Sequence, residues 1–243
     1  MEKNLRLGKL WDEWLTSESD SRLQADFEVS GLLMAMKNNG NIFHTNRLRT
    51  ARRLMRVWPL TSYYEKFKFA PAISLITSKN QKPKVKIECP LEILKTPKSL
   101  KNAWPWIKGL WGSVGGFYFP KAGYYLTLII GGEKNSKLTA DILKFTGLAW
   151  STHRNEFTLR NHEDIMTFLC NTGMPLTALE FDKTAMIRSV RNRANVVRNY
   201  EAANIARSVR AAREQLELAK KFLAIEAALP KNLRELAELR INY

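Results

Sequence analysis

Much of what enzyme chemistry and membrane insertion require is scarce in this sequence. Of 243 residues only two are cysteine and three are histidine. Cys89 and Cys170 stand alone, without a CxxC pair or metal-ligand spacing. That excludes a zinc ribbon and a disulfide framework, and leaves two reduced, partly buried thiols. His44, His153 and His162 are scattered among polar turns and strand ends, so they form neither a metal set nor a triad. No run of 18 apolar residues occurs, and no apolar signal core opens the chain. The expectation is a soluble intracellular protein, located in the cytoplasm. Acids are scarce too: 23 Asp+Glu stand against 39 Lys+Arg, a net charge of +16. Such an excess raises self-repulsion and points to a polyanionic partner.

What is present is globular, with 45% hydrophobic and 26% charged residues, enough for one large domain or two small ones. The charge is uneven. Residues 1–110 hold 20 basic and 10 acidic side chains, 111–181 hold six of each, and 182–243 hold 13 and 7. Two basic regions therefore flank a neutral one.

Along the chain, Leu7, Leu10, Trp11, Trp14 and Leu15 share one side of a helix that packs on the core. "DFEVSGLLMAMKNNG" (26–40) reads as an apolar helix closed by Asn-Asn-Gly. "NIFH" is a short strand, and "TNRLRTARRLMRVW" (45–58) is a helix stopped at Pro59. "FKFAPAISLI" and "KVKIECPLEIL" form a strand pair around "TSKNQKP". A similar order then recurs. "WPWIKGLWGSVGG" (104–116) is an apolar helix ending in Gly-Gly. "FYFPKAGYYLTLII" is a hairpin turning at Pro120 to Gly123. A helix over 133–147 follows, then a hairpin turning at His153 to Glu156. The last helix starts at Asn161, with Asp164 in the capping-box position. The repeated order argues for duplication. After Leu179 the chain reads as helix throughout, broken only at 229–232.

The densest feature is "RSVRNRANVVRNYEAANIARSVRAAREQL" (188–216), with seven arginines, four asparagines and two acids. On a helix, Ile205, Val209, Ala212, Leu216 and Leu223 make a stripe expected to be buried, beside an edge of Arg207, Arg210 and Arg213. Arg188, Arg191 and Arg198 share a face with Asn195. Guanidinium forks suit phosphate or guanine, and an Asn amide suits adenine or phosphate oxygens. Arginines also coat exposed helices and pair with acids such as Glu201 and Glu214, so a solvated helix remains open. A second cluster, Arg47, Arg49, Arg52, Arg53 and Arg56, tips the balance toward nucleic acid over a membrane surface or an acidic protein. "GGEKNSK" (131–137) lacks the Gly-Lys-Ser/Thr ending of a phosphate loop. The spacing of Trp104, Ile107, Leu110 and Trp111 marks core rather than a base-stacking surface.

From Gly147 to Arg240 the sequence resembles the WhiA family of bacterial sporulation and cell-division regulators. That family's RNR-x-N, N-x-E-x-AN and AA-x-x-Q runs are matched here in order. They fall at Arg191 to Arg193 with Asn195, at Asn199 with Glu201, Ala203 and Asn204, and at Ala211, Ala212 and Gln215. Upstream, "EVSGLLMAMKNNGNIF", "WIKGLWGSVGG" and "NRLRTARRL" sit where the family has its two Gly-containing helices and its Ala-Arg-Arg segment.

The resemblance implies an α+β fold of two pseudo-symmetric LAGLIDADG-like halves, residues 1–100 and 101–181. A helical DNA-binding region (182–243) would follow. In an active LAGLIDADG nuclease an essential acid lies five residues after the first Gly of each helix. Here those positions are Met36, counted from Gly31, and Val114, counted from Gly109. Without these carboxylates nothing holds Mg²⁺ to activate water, so no enzyme, cofactor or metal is expected.

The implied function is a non-catalytic, nucleoid-associated transcription regulator of sporulation, cell division and the cell cycle. Its partners would be double-stranded DNA and another transcription regulator, with no membrane. Arg188, Arg191, Arg193, Arg198, Arg207 and Arg210 would neutralise phosphates, and Asn195 would supply a base contact. Arg47, Arg49, Arg52 and Arg53 would form a secondary patch.

Two departures stand out. Family members usually continue past "LAELR" with a further stretch holding a helix-turn-helix, of which only the entry is expected here. The paired cysteines many of them carry before the second Gly-containing helix are replaced by "KNAWPW". The alternative is a protein-interaction or ligand-sensing module built on a dead nuclease fold, without DNA binding of its own.

Overall fold

The computed structural model describes residues 7–67, 71–78, 81–118, 124–224 and 231–242. The chain divides into two compact units, Met1–Thr184 and Ala185–Tyr243.

Helix α1 (Leu7–Thr16) turns Leu10 and Trp14 fully inward. Helix α2 (Arg22–Met34) starts at Ser21, whose side chain accepts the Gln24 N–H. It is buried continuously from Ala25 to Leu33, charges included. The expected extension to Asn-Asn-Gly does not occur. Lys37–Asn39 instead forms strand β1, which pairs with β2 (Ile42–Thr45), and Gly40 sits at φ 58° in the two-residue turn between them. A tight hairpin turn is the alternative use of the same Asn-Gly signal, and strand pairing won.

Helix α3 (Leu48–Val57) runs into a 3₁₀ turn at Trp58–Leu60, and α4 (Ser62–Phe67) follows. Strands β3 (Ala72–Ser78) and β4 (Gln81–Glu88) pair antiparallel, and β4 also pairs with β2.

Helix α5 (Leu100–Val114) opens the second half. It leads through β5 (Gly115–Tyr118), β6 (Tyr125–Ile129), α6 (Glu133–Lys144), β7 (Ser151–His153), β8 (Glu156–Leu159) and α7 (His162–Asn171). The expected turn at Pro120 to Gly123 lies outside the described residues. The two sheets have orders β1-β2-β4-β3 and β5-β6-β8-β7. The second order is the first one repeated, which is the internal symmetry that the recurrence of patterns predicts. Alternation along the strands sends Phe43, Val85 and Ile87 inward in one sheet and Phe117, Leu126, Leu128, Phe157 and Leu159 in the other. Ile107, Leu110 and Trp111 are buried with them and Trp104 is half-buried, so this spacing marks core for three of the four.

At α7 the Asn161 side chain accepts the Glu163 N–H at 2.9 Å. Asp164, expected to close a capping box, instead accepts the Ala149 N–H at 3.2 Å and ties down the preceding loop.

Cys89 is buried and Cys170 exposed. Desolvation pushes the Cys89 thiol up to about 12, which keeps it un-ionised and inert. One thiol per folded chain, Cys170, is expected to react with Ellman's reagent at pH 8, and two after denaturation. Two fast-reacting thiols in the folded chain would contradict this packing.

Helix α8 (Pro175–Ala224) passes from the first unit into the second, where α9 (Lys231–Asn242) follows it.

Candidate nucleic-acid interface

Helices α2 and α5 form the axis of the first unit and meet through glycine. A Cβ on Gly31 would lie 1.9 Å from the Trp106 carbonyl oxygen, and one on Gly109 would lie 2.1 Å from that of Glu28. The two contacts are reciprocal, so the backbones touch at the place the motif glycines occupy. Ser113 adds a bond from its hydroxyl to the Leu32 carbonyl oxygen at 2.6 Å. Just beyond, near the C-terminal ends of the two helices, sit the positions where an active nuclease would carry its acids. Met36 is buried there and Val114 half-buried.

The end of α5 is instead covered by guanidinium groups. Arg47 donates to the carbonyls of Gly115 (2.9 Å) and Val114 (3.4 Å). Arg49 donates to those of Gly112 (3.2 Å) and Gly115 (3.4 Å). The cation of Arg49 also lies 3.5 Å from the Trp11 ring centroid, and Trp11 stacks on Trp111 at 4.5 Å. Free carbonyls and the negative end of the helix dipole favour cations here. Burial lowers both guanidinium pKa values, and with the added charge of Arg47 it brings Arg49 down to about 10. The resemblance to LAGLIDADG nucleases implies Mg²⁺ near these helix ends in an active enzyme. These residues do not fit that ion, because its carboxylates are missing and two cations stand in their place. Among the described residues no group of three or more His, Cys, Asp or Glu side chains could hold a metal.

Arg53 has to be removed from the expected phosphate-contacting set. Its side chain is 1% exposed and forks onto Glu28 at 2.6 and 3.0 Å. Its remaining donors reach the carbonyls of Leu15 (2.8 Å) and Ser17 (2.7 Å). Lys108 lies 3.6 Å from the same carboxylate and donates to Glu18 O. Burial lowers the Lys108 pKa, with Glu28 opposing. Helical spacing could not separate Arg53 from its neighbours, because the acid that claims it lies 25 residues earlier. Arg52, one position away, is exposed, and Arg47 and Arg49 are half-buried.

In the second unit Arg191, Arg193, Arg198, Arg207 and Arg210 are all on exposed positions of α8. Arg188 and Asn195 belong to the same helix. Asn195 lies four residues after Arg191 and three before Arg198, so the three share a helix face. The stripe expected to be buried is largely not. Ile205 is 65% exposed, Val209 and Ala212 are exposed as well, and burial begins only near Leu216, with Ala219 inside. Ile187, Val190 and Val197 extend the exposed stripe toward the N-terminus. The periodicity is present, but no described partner covers it.

One feature of the first unit goes beyond the arginine clusters. On the outer face of the second sheet Tyr118 and Tyr125 are register partners with rings stacked at 5.0 Å, and Arg160 lies 5.6 Å from the Tyr125 ring. The alternation in "GGFY" and "YLTLI" carries this signal: Phe117 and Leu126 face the core, so the tyrosines face out.

A family model described as the WhiA C-terminal HTH domain matches residues 194–243. Among curated relatives, the chain is 31% identical over 144 residues to the probable cell division protein WhiA of Syntrophomonas wolfei. That alignment covers 57% of this chain and 46% of the relative. It is 29% identical over 163 residues to the protein of the same description from Heliobacterium modesticaldum, covering 64% and 50%. The chain thus spans about half the length of these relatives. In structure it is similar to full-length WhiA from Thermatoga maritima, with a TM-score of 0.64 at 20% identity, covering 96% of this chain and 85% of that one. It is also similar to the N-terminal LAGLIDADG domain of WhiA, with a TM-score of 0.54 at 20% identity, covering 68% and 90%.

Proposed function

From its kinship with the WhiA proteins, we propose that the chain is a non-catalytic DNA-binding transcription regulator of sporulation and cell division. The observation that carries this reading is the row of exposed arginine positions on α8, of which Arg198, Arg207 and Arg210 fall inside the segment matching the WhiA C-terminal HTH domain. Arg188, Arg191, Arg193 and Arg198, with Arg207 and Arg210 two to three turns on, neutralise phosphates. Asn195 makes the base contact. Guanidinium suits this work because its planar fork matches two phosphate oxygens and stays charged at any working pH. Arg52 adds to the basic surface of the first unit. The protein divides into halves at 1–100 and 101–181 and a helical DNA-binding region at 182–243. It acts on the nucleoid in the cytoplasm, and no described helix is long and apolar enough to cross a membrane.

The exposed stripe of Ile187, Val190, Val197, Ile205 and Val209 favours a second function for the same helix, docking of another transcription regulator. The two functions separate experimentally. With Arg191→Ala and Arg193→Ala combined, duplex affinity is expected to fall, and the slope of log K against log salt to flatten by about 1.8, two contacts at about 0.9 each. The thermal melt is expected to stay within a degree or two, since the Arg191 and Arg193 positions are exposed. Unchanged affinity and slope would leave α8 as a protein-docking helix.

A further inference from the structure

We infer that Arg47 and Arg49 together form a binding site for a phosphate-type oxyanion at the C-terminal end of α5. The inference rests on the DNA-binding reading only for the source of that phosphate. Three observations combine. First, the two forks converge: Arg47 Nη1 and Arg49 Nη2 both donate to the Gly115 carbonyl oxygen. Each guanidinium has five N–H donors, and two on each are used here, so donors remain on both. Second, the pair lacks a counter-charge. Among the described residues neither arginine has a carboxylate partner, in contrast to Arg53 four positions on, which is fully paired. Carbonyl dipoles offset only part of two adjacent positive charges. Burial lowers the Arg49 pKa, and the neighbouring Arg47 charge adds to that and brings it to about 10.

Third, the geometry is held rather than loose. Trp11 supports the flat face of the Arg49 guanidinium, and the stack continues to Trp111. A guanidinium pinned by its face presents its edge, which is the edge that forks an oxyanion. Tyr118 folds over Gly116 beside this end of α5 and is itself exposed. Where a nuclease gathers carboxylates to hold a metal that then meets phosphate, this chain supplies the positive charge directly. The site would bind phosphate, since Met36 and Val114 stand where an active nuclease would carry its acids.

The test uses the full chain. Inorganic phosphate and pyrophosphate are titrated at constant ionic strength against tryptophan fluorescence, since Trp11 lies under the Arg49 fork. A saturable change is expected. The variant combining Arg47→Lys and Arg49→Lys, which keeps both charges but loses both forks, is expected to bind about tenfold more weakly. Lys101→Gln, on an exposed position at the opposite end of α5, is expected to behave as wild type. Duplex DNA then identifies the source. If the lysine variant also loses duplex affinity and phosphate competes with the duplex, the site takes a backbone phosphate. If duplex binding is unaffected while phosphate binding is lost, the ligand is a small phosphate. The inference is overturned by a flat wild-type phosphate titration together with duplex binding that the lysine variant shares or that is absent. The pair would then be only a cap on α5. A wild-type chain that answers phosphate but not DNA would sink the DNA-binding reading and leave this site standing.

Discussion

Gly31→Ala is expected to lower the stability of the first unit by about 3 kcal/mol or more. On a 243-residue chain that corresponds to roughly 6–12 °C in melting temperature. Alanine is the better helix former by about 1 kcal/mol, so an exposed glycine would give the opposite sign. Here the added methyl would meet the Trp106 carbonyl oxygen at 1.9 Å, and that atom belongs to backbone inside a helix. No rotamer relieves the clash, so α2 and α5 must separate along their length. The contact is reciprocal, with Gly109 against Glu28 O at 2.1 Å, so Gly109→Ala is expected to match it. The double variant should then cost less than the sum of the singles, because one separation relieves both clashes. Chemical or thermal denaturation of the three variants checks this. A stabilised Gly31→Ala protein would mean that the helices do not touch there.

The second large effect concerns Arg53. Arg53→Ala is expected to destabilise by about 3–5 kcal/mol, because it strands the buried Glu28 carboxylate and frees the Leu15 and Ser17 carbonyls. Lys108, 3.6 Å from Glu28, offsets part of the loss. Glu28→Gln keeps the shape and one acceptor, and is expected to cost less than the alanine change. Arg52→Ala, one residue away on an exposed position, is expected to leave the melt unchanged and to reduce duplex binding modestly. Equal melts for the Arg52 and Arg53 variants would contradict the burial that separates these neighbours.

That contrast shows how far the residues alone could lead. Because apolar alternation and Gly or Pro stops are local signals, period and punctuation sufficed for most of the helices and for the β3–β4, β5–β6 and β7–β8 pairs, though not for the β1–β2 hairpin or α4. They also exposed the duplication, since the order of elements repeats. Asn38-Asn39-Gly40 was misread because the same residues close a helix or turn a hairpin, and only pairing with Ile42 to Thr45 decides between them. The arginines of α3 could be counted but not sorted. Arg47 and Arg49 are claimed by α5 backbone more than 60 residues later, and Arg53 by an acid in α2. On α8 the apolar stripe was legible, yet its exposure was not, since a period says which residues share a face and nothing about what covers it. The tyrosine pair of the second sheet was legible in principle through its alternation.

The regulator reading depends on whether α8 grips the phosphate backbone. The most direct measurement is fluorescence-anisotropy binding of the full chain to random-sequence duplex DNA across a salt series. Log K is expected to fall linearly with log salt, with a slope corresponding to about four to eight phosphate contacts at about 0.9 each. Flat or undetectable binding at low salt would contradict it, and would leave the arginine row of α8 as a solvated or partner-docking surface.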